Sequence, residues 1–288
     1  TRGSPPAFGL PPMIIALLHP GAMGVSVGRT LQASGHRVRW LTAERSAATR
    51  GRAEAAGFEP HRDLDGLLDG AAAVLSVCPP GEAAAVAQVV HDAGFAGVFI
   101  DANAVAPATA RGIAALFGDR FVDGGIIGPP AAHPGSTRLY LSGADAMAVA
   151  DWFGAGPLQA IALAGPPGAA SALKMCYAAF TKGSAALLLA VRALAQAEGV
   201  TPALLEEWAL SQPGLAERSE ATAQGTAGKA WRFVGEMKEI ASTFEAARLP
   251  GEFHHGAAEI YHRMAGLKQL DEVSMADVLA QLLGERVE

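Results

Sequence analysis

Two rhythms of hydrophobic positions divide the chain. Up to about residue 165, short β-type apolar runs alternate with alanine-rich stretches whose apolar positions recur at helical spacing. The runs predict strands at 13–18, 37–41, 73–77, 97–101, 121–123 and 138–142, with helices at 24–34, 46–56, 81–93 and 107–117 between them. Alternation of this kind implies a mostly parallel sheet covered on both faces. After Pro166-Pro167 the pattern turns helical and stays so to residue 283, punctuated at Gly199, Pro213-Gly214, Gly225 to Gly228 and Pro250-Gly251. The predicted organisation is a flexible lead-in over 1–12, an α/β domain over 13–165 and an all-helical domain over 166–288.

The helix that opens the second half is apolar nearly all round from Gly168 to Val191, with Lys174 set into it. Such a helix is normally buried. An ammonium group there loses hydration, so its pKa is expected to fall toward the range where it exchanges protons at neutral pH. Ser171, Tyr177 and Thr181 share its helix face at i−3, i+3 and i+7. For Lys174 the alternative is a lysine whose stem is buried and whose head reaches water. For Tyr177 it is core packing.

Composition narrows the setting. At 288 residues, half of them apolar and 17% charged, the chain suits two packed domains rather than disorder. The net charge is −6 and no basic cluster stands out, which argues against nucleic acid as a partner. Two cysteines, Cys78 and Cys176, are too few for a disulfide framework and fit a reducing cytoplasm. Lys182 and Arg192 interrupt the longest apolar run, so no membrane span is expected. His255, Glu259 and His262 fall on one helical face, but that spacing alone is permissive and no metal is expected.

The first strand runs into His19-Pro20-Gly21-Ala22-Met23-Gly24, and a helix follows. Glycines at such a turn let phosphates reach backbone N–H groups, and the helix dipole favours the anion. Gly21 and Gly24 have the spacing of the second and third glycines of G-x-G-x-x-G, while His19 stands where the first belongs. Strand, turn and helix in this order predict a dinucleotide-binding Rossmann domain. The second strand ends at Thr42, where an NAD site usually offers a carboxylate, and Arg45 and Ser46 follow as donors suited to a 2′-phosphate. The cofactor expected is therefore NADP(H), with Glu44 the residue that argues for NAD.

With these residues in hand, the chain resembles the β-hydroxyacid dehydrogenases, the group that includes 3-hydroxyisobutyrate and 6-phosphogluconate dehydrogenases. Gly21-Ala-Met-Gly24 is similar to the family's glycine turn, and Ser76-Val-Cys78-Pro79-Pro80 to its cofactor loop. Asp101-Ala-Asn103 through Pro107 is similar to its nicotinamide-side loop. Asp123-Gly-Gly-Ile-Ile127-Gly128-Pro129 resembles the substrate loop, and Gly168 through Ala178 the catalytic helix with Lys174 as its lysine. The segment 230–241 resembles an uncharacterised C-terminal domain that follows such Rossmann domains. The resemblance implies cofactor contacts at Pro20, Gly21, Ala22, Met23, Gly24, Thr42, Arg45, Ser46, Cys78, Pro79 and Asn103. For Asn103, capping of the next helix is the competing role. It implies catalysis by Lys174 and substrate contacts at Ile127, Gly128, Ser171, Tyr177, Trp231 and Glu239. A core tryptophan and a solvated glutamate are the ordinary alternatives for the last two. It also implies a homodimer formed through helical domains, with a pocket built between domains.

Three departures bear on the substrate. Ala178 stands where the family has an asparagine, Ile127 where it has a serine, and Pro129 where it has a glycine. Groups that would hold a hydroxyl or a carboxylate are lost, so a less polar pocket is expected. The leading expectation is an NADP-dependent oxidoreductase interconverting a carbonyl and an alcohol, with lysine as general acid and base. Imine reduction on the same scaffold and a non-catalytic NADP-binding sensor are the alternatives.

Overall fold

The computed structural model describes residues 11–270 and 272–284. The lead-in expected over 1–12 lies outside the described residues except for Pro11 and Pro12. The α/β part runs β1 (Ile14–Leu17), α1 (Ala22–Ala33), β2 (Arg37–Leu41), α2 (Ala47–Ala55), β3 (Glu59–His61), α3 (Leu64–Leu68) and β4 (Ala73–Ser76). It continues with α4 (Ala83–Asp92), β5 (Val98–Asp101), α5 (Pro107–Phe117), β6 (Phe121–Ile127), β7 (Thr137–Ser142), α6 (Ala146–Asp151) and β8 (Leu158–Ala162). The helical part follows as α7 (Ala169–Ala197), α8 (Thr201–Ser211), α9 (Leu215–Ala227), α10 (Ala230–Ala246), α11 (Glu252–Arg263) and α12 (Met275–Leu283). An α/β sheet followed by helices is the fold class that the hydrophobic rhythm implies.

Among the described residues the strands form one sheet in the order β3-β2-β1-β4-β5-β6-β7-β8. Every pairing is parallel except β6 with β7. Helices cover both faces, so the central strands are apolar on both sides. In β1 and just beyond it, Ile15 and Leu17 join the core that holds Val27 and Leu31 of α1. Ala16 and Leu18 join the other, with Ala87 and Val90 of α4 and Ile113 of α5. Phe99 stacks on Phe117 with ring centroids 4.4 Å apart and anchors that second core. Each fully buried side chain of this size contributes about 1.5–3 kcal/mol.

Four elements carried no usable hydrophobic signal. β3 is three residues, Glu59-Pro60-His61, on the sheet edge, where proline is tolerated because its missing N–H faces outward. α3 and α6 are five and six residues long. β8 is alanine-rich and is defined by its pairing with β7. β6 runs four residues beyond the strand expected at 121–123, through two glycines that look like a turn in the sequence. Packing explains them: a Cβ on Gly125 would sit 2.6 Å from the Ala170 carbonyl oxygen and 3.1 Å from Cβ of Lys174. The start of α7 lies directly on β6, and only glycine admits it.

The chain passes from one compact unit to another inside α7, the first ending at Lys174 and the second starting at Met175. By length and composition α7 is apolar enough to cross a membrane, whereas the sequence pattern led us to expect no such segment. Many of its apolar side chains are buried, among them Met175, Ala178, Ala186 and Leu189. Among its three charged side chains, Lys182 and Arg192 bond partners on other helices. Lys182 bonds Glu236 and lies over the Phe233 ring, and Arg192 bonds Ser219 and Glu220. Tyr261, fully buried, donates its hydroxyl to the Lys182 carbonyl at 2.8 Å.

A buried carboxylate holds the start of α7. Asp123 of β6 accepts from the N–H groups of Gly168 (2.9 Å) and Ser171 (3.0 Å) and from the hydroxyls of Ser171 (2.5 Å) and Ser142 (2.9 Å). Ser142 in turn accepts from Ala170 N–H at 3.0 Å. Three N–H groups of the first helical turn, which no intrahelical carbonyl can serve, are thus satisfied, and the negative charge sits at the positive end of the helix. Asp123→Ala would take the acceptor from the buried Gly168 and Ser171 N–H groups and from the Ser171 and Ser142 hydroxyls, at about 1–3 kcal/mol each. We expect a loss of at least about 3 kcal/mol in urea unfolding, with Asp123→Asn falling between the variant and the native protein. A loss below about 1 kcal/mol for the alanine variant would contradict the assignment.

Candidate active site

The strand order reverses at β1, which has β2 on one side and β4 on the other. Loops leaving the C-terminal ends of β1 and β4 diverge there, and the crevice between them is where ligands bind in open α/β sheets. Gly21 is the N-cap of α1 and closes the turn with its N–H on the His19 carbonyl at 2.8 Å. No side chain caps α1, so its leading N–H groups have no side-chain acceptor, and a Cβ on Gly21 would meet nothing within 4 Å. At Gly24 a Cβ would collide with the His19 carbonyl oxygen. One glycine keeps the mouth of the helix open and the other lets the helix press onto the strand end. Pro20 is buried beneath the turn, Met23 is half-buried and Ala22 is exposed. An uncapped helix N-terminus of this kind is a seat for an anion.

His19 fills the position of the missing first glycine. Burial, with the nearby charge of Arg45, lowers its pKa to about 4, so the ring is neutral at pH 7. Arg45 lies beside it, half-buried, with one Nη donating to the Leu18 carbonyl at 3.1 Å and a buried Nε that has no hydrogen-bond partner. Burial lowers the Arg45 pKa from its ordinary value, yet a guanidinium stays charged in a protein. Thr42 is half-buried and donates its N–H to His61 at 2.8 Å. Ser46 caps α2, accepting from Thr49 N–H at 3.2 Å. Glu44 adopts a left-handed backbone conformation, φ 55°, which turns the chain sharply between β2 and Arg45.

The ends of β4 and β5 are tied by Asn103. Its Oδ1 accepts from Cys78 N–H at 2.5 Å, and its Nδ2 donates to Ser76 Oγ at 3.0 Å and to Asp101 Oδ1. The cap of α5 is Ala106, so the helix-capping alternative for Asn103 does not apply. Asp101 is buried, also accepts from Asn103 N–H at 3.1 Å, and leaves Oδ2 without a partner. Burial, reinforced by the charge of Asp123, raises its pKa to about 7. Burial likewise pushes the Cys78 thiol up to about 11, so it is protonated at neutral pH. Pro79 is exposed.

Farther along the sheet, Ile127 is buried at the end of β6 opposite Arg138, and Gly128 follows, exposed. Lys174 is half-buried, and its Cβ packs against Gly125. Ser171, one turn before it, is fully buried and gives both its N–H and its hydroxyl to Asp123. In the helical unit Tyr177 is 47% exposed and Trp231 48% exposed, the latter with Arg232 and Lys268 near its ring. Glu239 is half-buried and accepts at its carbonyl from the Thr243 hydroxyl at 2.7 Å. Of the histidine–glutamate trio, His255 bonds Glu245 at 2.8 Å and Glu259 bonds Arg263 at 3.0 Å. Among the described residues no group of metal-ligating side chains gathers.

The sequence named Asp101 and Asp123 only as the first residues of two loops; their bonding roles, Ser142 and the partnering of Asn103 were not read from it. The signal available was an aspartate at the end of each of two adjacent predicted strands, which usually marks the ligand edge of such a sheet.

Residues 195–264 match the family model described as Domain of unknown function (DUF1932). No curated protein matches the sequence. Among solved structures, a conserved hypothetical protein from Sinorhizobium meliloti 1021 is 27% identical, with 94% of this chain and 95% of that one covered and a TM-score of 0.66. The 3-hydroxyisobutyrate dehydrogenase of Mycobacterium tuberculosis, solved with L-serine, is 19% identical over 94% and 99% of the two chains, with a TM-score of 0.66. A reductive aminase from Aspergillus terreus, solved with NADPH and ethyl levulinate, is 17% identical over 95% and 99%, with a TM-score of 0.53. The chain therefore has the hydroxyacid dehydrogenase-like fold, an α/β sheet region followed by helices, and part of its helical region is similar to the DUF1932 model.

Proposed function

We propose that this chain is an NADP(H)-dependent oxidoreductase that interconverts a carbonyl and an alcohol, with Lys174 as proton donor and acceptor. The observation that carries the reading is the open, uncapped N-terminus of α1 together with the half-buried Arg45, which bonds the Leu18 carbonyl and whose buried Nε has no hydrogen-bond partner. These groups suit a dinucleotide: α1 and Gly21 to Gly24 for the pyrophosphate, Thr42, Arg45 and Ser46 for the 2′-phosphate, and Cys78, Pro79 and Asn103 for the nicotinamide side. When bound, the reduced nicotinamide supplies hydride. Lys174 protonates the oxygen that gains charge and, in the reverse direction, accepts that proton. Ile127, Gly128, Tyr177, Trp231 and Glu239 are the proposed substrate contacts; Ser171, fully buried with its hydroxyl on Asp123, is proposed to hold the start of α7 instead. Both hydroxyacid dehydrogenases and NADPH-bound reductive aminases among the solved structures share this fold, which supports oxidoreductase chemistry.

Imine reduction is the second reading. Ala178 and Ile127 are both buried where the resembling family carries polar groups, which favours a less polar substrate. We also propose a cytoplasmic location, a reading supported by the two free cysteines. We further propose a homodimer, supported by the apolar face of α7, where Phe180, Leu187 and Leu194 are 71%, 51% and 62% exposed.

Four measurements test these proposals. Tryptophan fluorescence titration should show tighter binding of NADPH than of NADH, and Arg45→Ala should weaken NADPH by about tenfold or more while sparing NADH. Equal affinities in the native protein would reject the 2′-phosphate assignment. A panel of ketones, aldehydes, hydroxyacids and cyclic imines, followed by NADPH absorbance, should identify a substrate. With that substrate Lys174→Met should lower single-turnover rates by about 10²–10⁴-fold and shift NADPH affinity only a few-fold. Turnover near the native rate would remove Lys174 from the mechanism. Light scattering at micromolar concentration should give the mass of two chains, and a monodisperse monomer would reject the dimer.

A further inference from the structure

The last ladder bond between β4 and β5 runs from Ala102 N–H to the Ser76 carbonyl at 2.9 Å. Beyond it the β4 chain enters Cys78-Pro79-Pro80-Gly81. Two successive prolines have no N–H, so Cys78 carries the last backbone donor by which the departing chain can be held. The Asn103 side chain takes that donor on Oδ1 and continues the ladder by one step. The Asn103 amide can do this in only one of its two orientations. Its Nδ2 meets Asp101 Oδ1, and a carboxylate is an acceptor, so the NH₂ end must face it and the carbonyl end must face Cys78. Asn103 N–H on the same Asp101 oxygen fixes the backbone of the pair, and Ser76 Oγ accepts the second Nδ2 hydrogen. Asn103 and Asp101 are both buried, so water does not compete for these groups.

We infer that Asp101 and Asn103 form an orientation lock on the Cys78–Pro80 turn, with Asp101 a positioning residue for the cofactor edge of the sheet. The functional half of this inference rests on the NADP(H) reading. The structural half, that the lock holds the Cys78 N–H, does not. With the amide reversed, an NH₂ would face the Cys78 N–H and the turn would lose its tether. Asp101 touches none of the proposed ligand contacts except through Asn103.

The lock makes a pH-dependent forecast for one variant. Asn103→Asp places a second carboxyl against Asp101 at hydrogen-bond distance. Two such groups do not both ionise and instead share a proton. With that proton in place, the new side chain donates to Asp101 and accepts from Cys78 N–H, as asparagine does. Without it the two carboxylates repel and the turn is released. The other titratable groups acting on the pair are Asp123 from β6 and the Cys78 thiol after β4, and the thiol stays protonated through this range.

The experiment compares native and Asn103→Asp proteins by NADPH titration between pH 6 and 8.5, taking the ratio of dissociation constants at each pH so that titration of the cofactor cancels. In parallel, amide exchange at Cys78 is measured without cofactor in the native protein and in Asn103→Ala. The expected results are a ratio that is smallest at low pH and rises about tenfold or more from that value as the shared proton leaves, and Cys78 exchange faster by about tenfold or more in Asn103→Ala. A general loss of stability would raise the ratio equally at every pH. A ratio that does not change with pH, or a Cys78 amide that exchanges at the native rate in the alanine variant, overturns the lock. If the native protein fails to bind NADPH, the cofactor reading falls instead, and the Cys78 exchange alone decides whether the lock exists.

Discussion

The carboxylate of Asp123 is the constraint on which the rest of the arrangement hangs. A long helix with a buried N-terminus has N–H groups that no intrahelical carbonyl can serve. Asp123 and Ser142 serve them from two adjacent strands, β6 and β7. The N–H groups of Gly168, Ala170 and Ser171 tie the first turn of the helix to β6 and β7. Lys174 lies one turn from the grip, so its position is set by the same bonds. Gly125 completes the device by removing the side chain that would hold the helix away from β6.

At the neighbouring edge the protein suppresses charge. The Cys78 thiol stays protonated, His19 stays neutral, and Asp101 titrates near 7. Arg45 remains the cation beside His19, with the charge of Glu44 acting on it and its buried Nε without a hydrogen-bond partner. Suppression has opposite consequences for stability at the two ionisable groups. His19 titrates at about 4 folded against 6.5 unfolded, so its contribution is full above 6.5 and is lost as pH falls toward 4. Asp101 titrates at about 7 folded against 3.8 unfolded, so its contribution is full below 3.8 and is lost as pH rises toward 7. Between pH 4 and 6.5 the two slopes oppose each other, and neither group alone dictates acid sensitivity.

The helical unit solves a different problem: how to keep cations inside an apolar helix. Lys182 is held by Glu236, by the face of Phe233 and, through its backbone, by Tyr261. Arg192 is held by Ser219 and Glu220. These pairs are specificity devices more than sources of stability, since desolvation offsets much of their attraction. His254 has no such partner at Nδ1. It lies against the rings of Phe244 and Phe253, and burial, with the charge of His255, lowers its pKa so that the neutral form is kept.

Periodicity determined what local physics determines. Strands whose residues face two packed layers read as continuous apolar runs, and β2 and α5 start and end where the pattern places them. The glycine turn was legible because Gly24 is needed for local contact with His19, five residues away. The helix carrying Lys174 was legible because it is apolar nearly all round. What the sequence did not reveal depends on partners distant along the chain. β8 exists because β7 offers it a ladder, and Gly124-Gly125 belong to a strand because Ala102 and Ala170 press on them from elsewhere. Asp123 meets Ser171 across 48 residues, and Asn103 meets Cys78 across 25. Hydrogen bonds of that separation leave no period in the sequence. The tertiary structure alone decides which donor a buried side chain serves, because every competing acceptor is excluded only once the layers have closed.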